Sequence, residues 1–401
     1  MDGADAIGVA VLGLGARGRE RWQALSKLPG VKLVAACDPD ESALAGLDPA
    51  PAATHSQPRP ALDNPAVQAV IVATPTHWTA AAAAMALSKG KDVFVEAPVC
   101  WSFAEGELLL AAARRGDRIV AVGHERRSEG AVRNAVAQAR AGIVGPLYTT
   151  RAVDYGRQSP LPAKPDAAPP AGLHWDTWQG PVPPRPYNPN YTPRHWRRWW
   201  DYGHGELGAQ AIDALDTARW MLGAGLPSQI FCSGGRWGAD VAGDTPNAQH
   251  AVFTFPDGRI LDVEIRGLPS HDEVGTRRGV LAFGAQGWLA EGDGFQPHIG
   301  YKEDGKPPTL GNLPPVGGSG EGDALTNFVA AVKSRRAADV NCPLAEGVLT
   351  AQLCCLATIS CRLGRALHFD PDPRRFIGDA EADAMLTRAK VADGFVFPQE
   401  G

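Results

Sequence analysis

Short apolar runs alternate with helix-like stretches over the first third of the chain. Ile7–Leu12, Val31–Cys37, Val67–Ala73, Lys91–Glu96 and Arg118–Gly123 have the length and composition of buried strands. Between them, Arg19–Lys27, Ser42–Leu47, Thr79–Lys89 and Phe103–Arg115 read as helices. Pro49–Pro60, rich in proline and alanine, reads as a loose connection. This alternation predicts α/β architecture: a doubly wound parallel sheet with helices on both faces. Ligands of such sheets bind beyond the carboxyl ends of the strands. Thr74–Trp78, Glu96–Pro98 and Gly123–Arg127 fall there.

The rhythm changes near residue 125. Glu129–Ala141 reads as a helix and Leu147–Tyr155 as a strand. Pro160–Pro193 is crowded with proline and with Trp175, Trp178, Tyr187 and Tyr191, which predicts a long loop ordered by packing. Glu206–Leu222 has helical spacing of apolar residues. Strand-like runs follow at Gln229–Gly234, Ala248–Phe255, Ile260–Gly267, Gly279–Phe283 and Gly287–Glu291, with a turn signal at Pro256-Asp257-Gly258. Asp323–Ser334 and Ala345–Gly364 read as closing helices. The expectation is two domains, 1–124 and 125–401. The second is α+β with a large, mostly antiparallel open sheet, and its terminal helices are placed to pack back on the first.

Chemistry enters at the first strand. Gly13-Leu14-Gly15-Ala16-Arg17-Gly18 is a G-x-G-x-x-G loop between a strand and a helix. Gly13 permits a tight turn, Gly15 lets backbone approach a pyrophosphate, and Gly18 lets the helix pack closely. The helix start, with Ala16 and Arg17, offers free N–H groups to phosphate. Asp38 ends the second strand about twenty residues on, where a carboxylate takes both ribose hydroxyls of NAD and repels the 2′-phosphate of NADP.

The 401 residues carry a formal charge of −5, with a pI of about 6.1. Nothing there points to nucleic acid or an anionic membrane as a partner. No apolar run approaching the roughly twenty residues of a spanning helix is expected, and the first residues lack the basic and apolar regions of a secretory signal. The seven cysteines include no C-x-x-C pair, so a disulfide framework or zinc site is not expected and a reducing cytoplasm fits best. His174, His195, His204, His250 and His271 show no metal-ligand spacing.

Taken in order, these pieces resemble the Gfo/Idh/MocA oxidoreductases. The matching residues are Gly13–Gly18, Ala73-Thr74-Pro75, Gly90–Val93, Glu96 with Pro98, Val122-Gly123, Arg127-Ser128, Gly145-Pro146, Trp178–Pro181, Gly205–Gly208 and Asp216–Trp220, with Phe376–Asp379 and Met385–Arg388 near the end. The resemblance implies an N-terminal Rossmann domain that binds NAD(P), and a C-terminal domain carrying the substrate site and often an oligomer interface, here a dimer or tetramer. It implies a sugar, polyol or similar carbohydrate-like substrate. By its place in the motifs it puts Thr74, Pro75, His77, Trp78, Glu96 and Ala97 at the cofactor.

Two departures stand out. The family's E-K-P becomes Glu96-Ala97-Pro98, which removes the lysine that contacts the reacting hydroxyl. The family's G-x-x-G-I-H-x-x-D is represented by Gly208-Ala209-Gln210-Ala211-Ile212-Asp213-Ala214-Leu215-Asp216, with Asp213 where the acid/base histidine would stand. Alcohol oxidation needs a base, a role worth typically 10²–10⁴-fold. Asp213 serves if burial raises its pKa, and His204 is the other candidate. Arg127, Trp199, Trp200 and Tyr202 are candidates for substrate contact, since indole faces suit the C–H edges of sugars. Three readings stay open: an NAD-dependent oxidoreductase with substituted acid/base groups, a sensor or binding protein retaining the nucleotide site, and a protein using NAD as an internal redox catalyst for a redox-neutral reaction such as glycoside cleavage or epimerisation.

Overall fold

The computed structural model describes residues 6–239, 241–292, 298–301, 323–392 and 395. Six parallel strands form the first sheet: β1 (Ile7–Leu12), β2 (Val31–Cys37), β3 (Ala53–His55), β4 (Ala69–Val72), β5 (Asp92–Val95) and β6 (Val120–Val122). Their order, β3-β2-β1-β4-β5-β6, reverses direction between β1 and β4, and that switch point opens the crevice at the strand ends. β1, β4 and β5 are buried at every position, as expected for strands covered on both faces. β3 lies within the stretch read as a loose connection. It is a three-residue edge strand among prolines, too short to show a period.

The second sheet has nine strands in the order β13-β12-β11-β7-β10-β9-β8-β14-β15. They are β7 (Leu147–Asp154), β8 (Gln229–Gly235), β9 (Ala248–Thr254), β10 (Ile260–Arg266), β11 (Arg278–Gly284), β12 (Gly287–Gly292), β13 (His298–Tyr301), β14 (Leu367–Asp370) and β15 (Arg375–Phe376). The sheet is antiparallel apart from the β7–β10 pair. The helix Ile212–Leu222 packs on its inner face through Leu215, Ala218 and Leu222. It starts six residues later than the periodicity predicts, because 206–211 form turns.

Two late helices knit the halves together. Leu325, Phe328 and Val329 of Ala324–Ser334 share one core with Val9, Val11 and Trp22. The helix Leu344–Leu363 sends Val348 and Ala351 into the core under β4 and β5, and Leu353, Leu356 and Ile359 into the core under the second sheet. By length and composition it is the membrane-spanning candidate that the sequence reading did not expect, but 78% of its apolar window is buried inside the protein. Each such fully buried Leu, Ile or Val contributes roughly 1.5–3 kcal/mol. All seven cysteines are free thiols.

The proline-rich segment is ordered by a separate aromatic core. Trp175 and Trp178 stack at 4.9 Å, Tyr187 and Tyr202 meet them edge-on, and Tyr191 lies parallel to Trp175 at 6.0 Å. The segment is tied to the first domain: His174 N donates to Pro39 O, Glu41 N donates to Gly172 O, and Trp78 Nε1 donates to the carbonyls of Thr177 and Trp178. It therefore forms a wall along the crevice.

Candidate active site

A cavity of about 400 Å³ runs from Asp38, Ala43 and Pro58 at one end, past the glycine loop, Thr74, Pro75 and Glu96, to Ala97, Ala209 and Asp213 at the other. Trp78, Trp178, Trp196 and Arg197 close its side.

The loop end is built by backbone. Gly13 has φ +87°, and a Cβ there would come within 2.7 Å of Ala73 O. A Cβ on Gly18 would sit 1.8 Å from Gly13 O, so the helix Ala16–Ser26 can approach only through glycine. A Cβ on Gly15 would meet nothing within 4 Å, which leaves its bare backbone facing the open cavity. The helix has no side-chain cap and no acidic residue in its first turn, so its N–H groups and positive dipole end stay unanswered. This is the environment a pyrophosphate needs.

Asp38 accepts from Leu14 N at 2.6 Å through Oδ2 and from Asp40 N at 2.9 Å through Oδ1. Burial pushes its pKa up to about 6, opposed by those two amides. Each oxygen retains a lone pair for a ribose hydroxyl. Arg19, the nearby cation, spends its guanidinium on the carbonyls of Ala43 (2.7 Å) and Ala45 (3.0 Å). Glu96 accepts from Arg21 Nε at 2.5 Å, and Arg21 also pairs with Glu125. Burial raises the Glu96 pKa while Arg21 opposes the rise.

The other end depends on tertiary contact. Asp213 and Asp216, three residues apart on the helix Ile212–Leu222, project from one face. Between them and the end of β6 lies His124. Its Nδ1 is 2.8 Å from Asp213 Oδ1, and its Nε2 is 4.0 Å from Asp216 Oδ1. His124 is 1% exposed at its side chain, whereas Asp213 is 37% exposed and opens on the cavity. Asp213 is thus not the buried carboxylate expected from the sequence; the burial falls on its partner. Burial disfavours charge on His124, but Asp216 and Asp213 outweigh it and raise its pKa. Asp216 accepts from Arg127 Nε at 2.6 Å and from Thr350 Oγ1 at 2.7 Å. Burial opposes its charge, yet His124, Arg127 and Arg219 hold it well below the usual carboxylate range.

Gly13, Gly15, Ala16, Arg17, Asp38, Thr74, Pro75, Trp78, Glu96, Ala97 and Asp213 line the one cavity. The remaining candidates lie outside it. Gly18 serves the loop from behind. His77 is buried with Nε2 2.9 Å from Trp178 O, and burial lowers its pKa to about 3. His204 is buried beside Thr358 and Trp101, and burial lowers its pKa to about 4. Arg127 is held by Asp216 and Glu346 and stacks over Trp220 at 4.8 Å. Tyr202 is 0% exposed in the aromatic core. Trp199 packs edge-on against Tyr191, and the Trp200 carbonyl accepts from Trp101 Nε1. Of the tryptophans after His195, Trp196 is the one that reaches the cavity. His124 lies within the strand-end stretch Gly123–Arg127 that the sequence pointed to, but nothing in the sequence singled it out there as a site residue. Its signal was its place, the first side chain after Gly123 at a strand end. Among the described residues, no group of three or more His, Cys, Asp or Glu side chains forms a metal cluster.

The fold and this crevice define a doubly wound α/β scaffold of the dinucleotide-binding class. Residues 7–124 match the family described as "Oxidoreductase family, NAD-binding Rossmann fold", and residues 159–259 and 319–393 match its C-terminal alpha/beta domain. The chain belongs to this Gfo/Idh/MocA oxidoreductase family. It is similar to inositol 2-dehydrogenase of Streptomyces avermitilis, 36% identical over 127 residues, covering 30% of this chain and 36% of the relative. It is also similar to a 1-carboxy-3-chloro-3,4-dihydroxycyclohexa-1,5-diene dehydrogenase of Comamonas testosteroni, 26% identical over 249 residues, covering 61% and 54% respectively. The alignments thus span about a third to a half of these relatives. In fold it is similar to the WlbA dehydrogenase of Bordetella pertussis in complex with NADH and UDP-GlcNAcA, with a TM-score of 0.69, 15% identity, and coverage of 92% of this chain and 100% of that one.

Proposed function

We propose that this protein is an NAD(H)-dependent oxidoreductase acting at a hydroxyl-bearing carbon of a sugar, cyclitol or related polyol, with Asp213 as the group that takes the hydroxyl proton. One observation carries the reading: the cavity that starts at the glycine loop and Asp38 ends at a half-buried carboxylate. A bound nicotinamide would supply the hydride acceptor or donor. The chain's own residues do the rest. The loop N–H groups hold phosphate, Asp38 holds ribose hydroxyls, Trp196 offers an apolar face, and Asp213 accepts the proton. NAD is favoured over NADP because Asp38 faces the ribose end and Arg19 is already occupied. The relatives' names, an inositol dehydrogenase and a dehydrogenase of a dihydroxylated ring, agree in carrying a secondary hydroxyl on a ring. We also propose a homo-oligomer through the open face of the second sheet, where Phe231 on β8 and Ile260 on β10 are exposed.

The test is calorimetric NADH binding by the whole chain, followed by a screen of inositols, sugars and sugar acids at the reduced-nicotinamide absorbance. Substrate-dependent reduction of NAD⁺ supports the reading, and absence of NADH binding sinks it. A second reading, a redox-neutral reaction with NAD as internal catalyst, is favoured by Ala97, which supplies no second protic group at the reacting carbon. Its mark is consumption of substrate with no net absorbance change.

A further inference from the structure

One wall of the cavity carries positive charge that the protein itself does not answer. Three arginines line the cavity: Arg17, Arg194 and Arg197. Arg17 belongs to the glycine loop and pairs with Glu20 at 2.9 Å. Arg197 Nε donates to Arg194 O at 3.2 Å, and its two terminal nitrogens have no partner among the described residues. The Arg194 guanidinium has no ion pair or hydrogen bond among them either. Their neighbours show the alternative. Arg198 is buried and donates to Ser159 O at 3.0 Å, and Arg185 pairs with Asp201. The buried Glu206 senses Arg197 but makes no ion pair with it. Burial, and then Arg198, Arg197 and Arg194, lower the His195 pKa, so the positive field is felt within the segment.

Backbone fixes Arg197 toward the Asp213 end. Its carbonyl accepts from Gly205 N at 2.9 Å, and a Cβ on Gly203 would come within 3.1 Å of its Cα. Gly205 leads through turns past Gly208 and Ala209, both on the cavity, to the helix that carries Asp213. The glycine loop stands at the other end, so nucleotide phosphates have a cradle of their own there.

We propose that Arg197, with Arg194 beside it, is a specificity-determining residue that selects substrates bearing an acidic group, a carboxylate or a phosphate, on the hydroxylated skeleton. This rests on the reading that a hydroxyl-bearing carbon reacts at Asp213, and it narrows the substrate class from polyols at large to sugar acids, cyclitol acids and their phosphorylated counterparts. A guanidinium holds either group through parallel N–H donors, and the terminal donors of Arg197 are free. The charge of Asp213 repels an acid placed beside it, so the acid goes to the arginines and the hydroxyl to Asp213. Two anchors on one ring decide which hydroxyl reacts.

The test uses matched probes on the whole chain: glucuronate against glucose, galacturonate against galactose, gluconate against glucitol, and glucose 6-phosphate against glucose. Each is titrated calorimetrically into the protein with and without saturating NADH, and each is assayed for NAD⁺ reduction. At least one acid should be preferred over its neutral partner by about 10–100-fold, and Arg197→Met should erase most of that preference. Arg197→Lys, which keeps the charge but not the fork, should restore part of it. NADH affinity should stay within about twofold in both variants, since the glycine loop and Asp38 hold the nucleotide. A preferred uronate or aldonate assigns a carboxylate to the site, and a preferred sugar phosphate assigns a phosphate. Acids that bind no tighter than their neutral partners overturn the proposal, as does an Arg197→Met protein with the parent preference. Lost NADH affinity in Arg197→Met with the acid preference intact also overturns it, because the arginine then serves the nucleotide. Failure of the parent chain to bind NADH overturns the oxidoreductase reading instead; acid binding that still depends on Arg197 then leaves the anion site standing.

Discussion

At one end of the cleft a carboxylate is buried with only backbone amides for company; at the other a carboxylate is buried among cations. Asp38 has the amides of Leu14 and Asp40, and its pKa rises to about 6. Asp216 has Arg127, Arg219 and His124, and its pKa falls far below normal. Burial penalises both charges. Asp216 is compensated by cations and Asp38 only in part by two amides, which leaves Asp38 lone pairs free for hydroxyl donors from outside. The lesson concerns division of labour. An uncompensated buried charge marks where a ligand is awaited, and a compensated one marks scaffolding.

The contrast can be broken at several points. Asp213→Asn should lower turnover by about 10²–10⁴-fold while leaving NADH affinity within a factor of about two; steady-state kinetics beside calorimetry checks this. Arg127→Met leaves Asp216 buried without its main partner and should cost about 3–5 kcal/mol of stability, read by denaturant unfolding. Were Arg127 a substrate ligand instead, that variant would raise KM and spare stability. Trp196→Ala should raise the substrate KM about tenfold, whereas Trp200→Ala, outside the cavity, should leave KM within about twofold.

The smallest effect is in pH. The raised pKa of Asp38 gives a contribution that is intact below its unfolded value of 3.8 and is lost as pH rises through about 6. Asp216 has the opposite sign: its contribution is present above 3.8 and is lost as pH falls below it. For the cofactor-free protein, Asp38→Asn should therefore gain a few degrees of Tm relative to the parent between about pH 4.5 and about pH 7.5. Saturating NAD should cancel that gain if ribose hydroxyls satisfy Asp38.

How much of this was legible follows from chain distance. The cofactor end is written within one βαβ unit. Its longest critical contact, Leu14 to Asp38, spans 24 residues, and each glycine is required by local backbone geometry. Short apolar runs and helical spacing likewise placed most strands and helices within about three residues of their observed ends. The short edge strand β3 escaped because three residues among prolines carry no period. The chemical end was half legible. Asp213 stood out by its motif position, but the contact that gives it meaning reaches 89 residues back to His124. Arg127 looked functional by its place beyond a strand end, and His204 and Tyr202 by their place just before the Gly205–Gly208 motif; their partners, Asp216, Thr358 and the aromatic core, are visible only once the chain is folded.

The helix Leu344–Leu363 has a mechanical consequence. One rigid rod is embedded in the cores beneath both sheets. Swinging the walls of the cleft apart as a hinge would drag apolar side chains of that rod into water from one side or the other. The gap between glycine loop and Asp213 is therefore a fixed gauge, set when the chain folds rather than when a ligand arrives. Traffic through it falls to the aromatic wall, which is anchored to the nucleotide domain by hydrogen bonds at Pro39, Glu41, His77 and Trp78 and by the His77 ring packed against Trp178 and Tyr202.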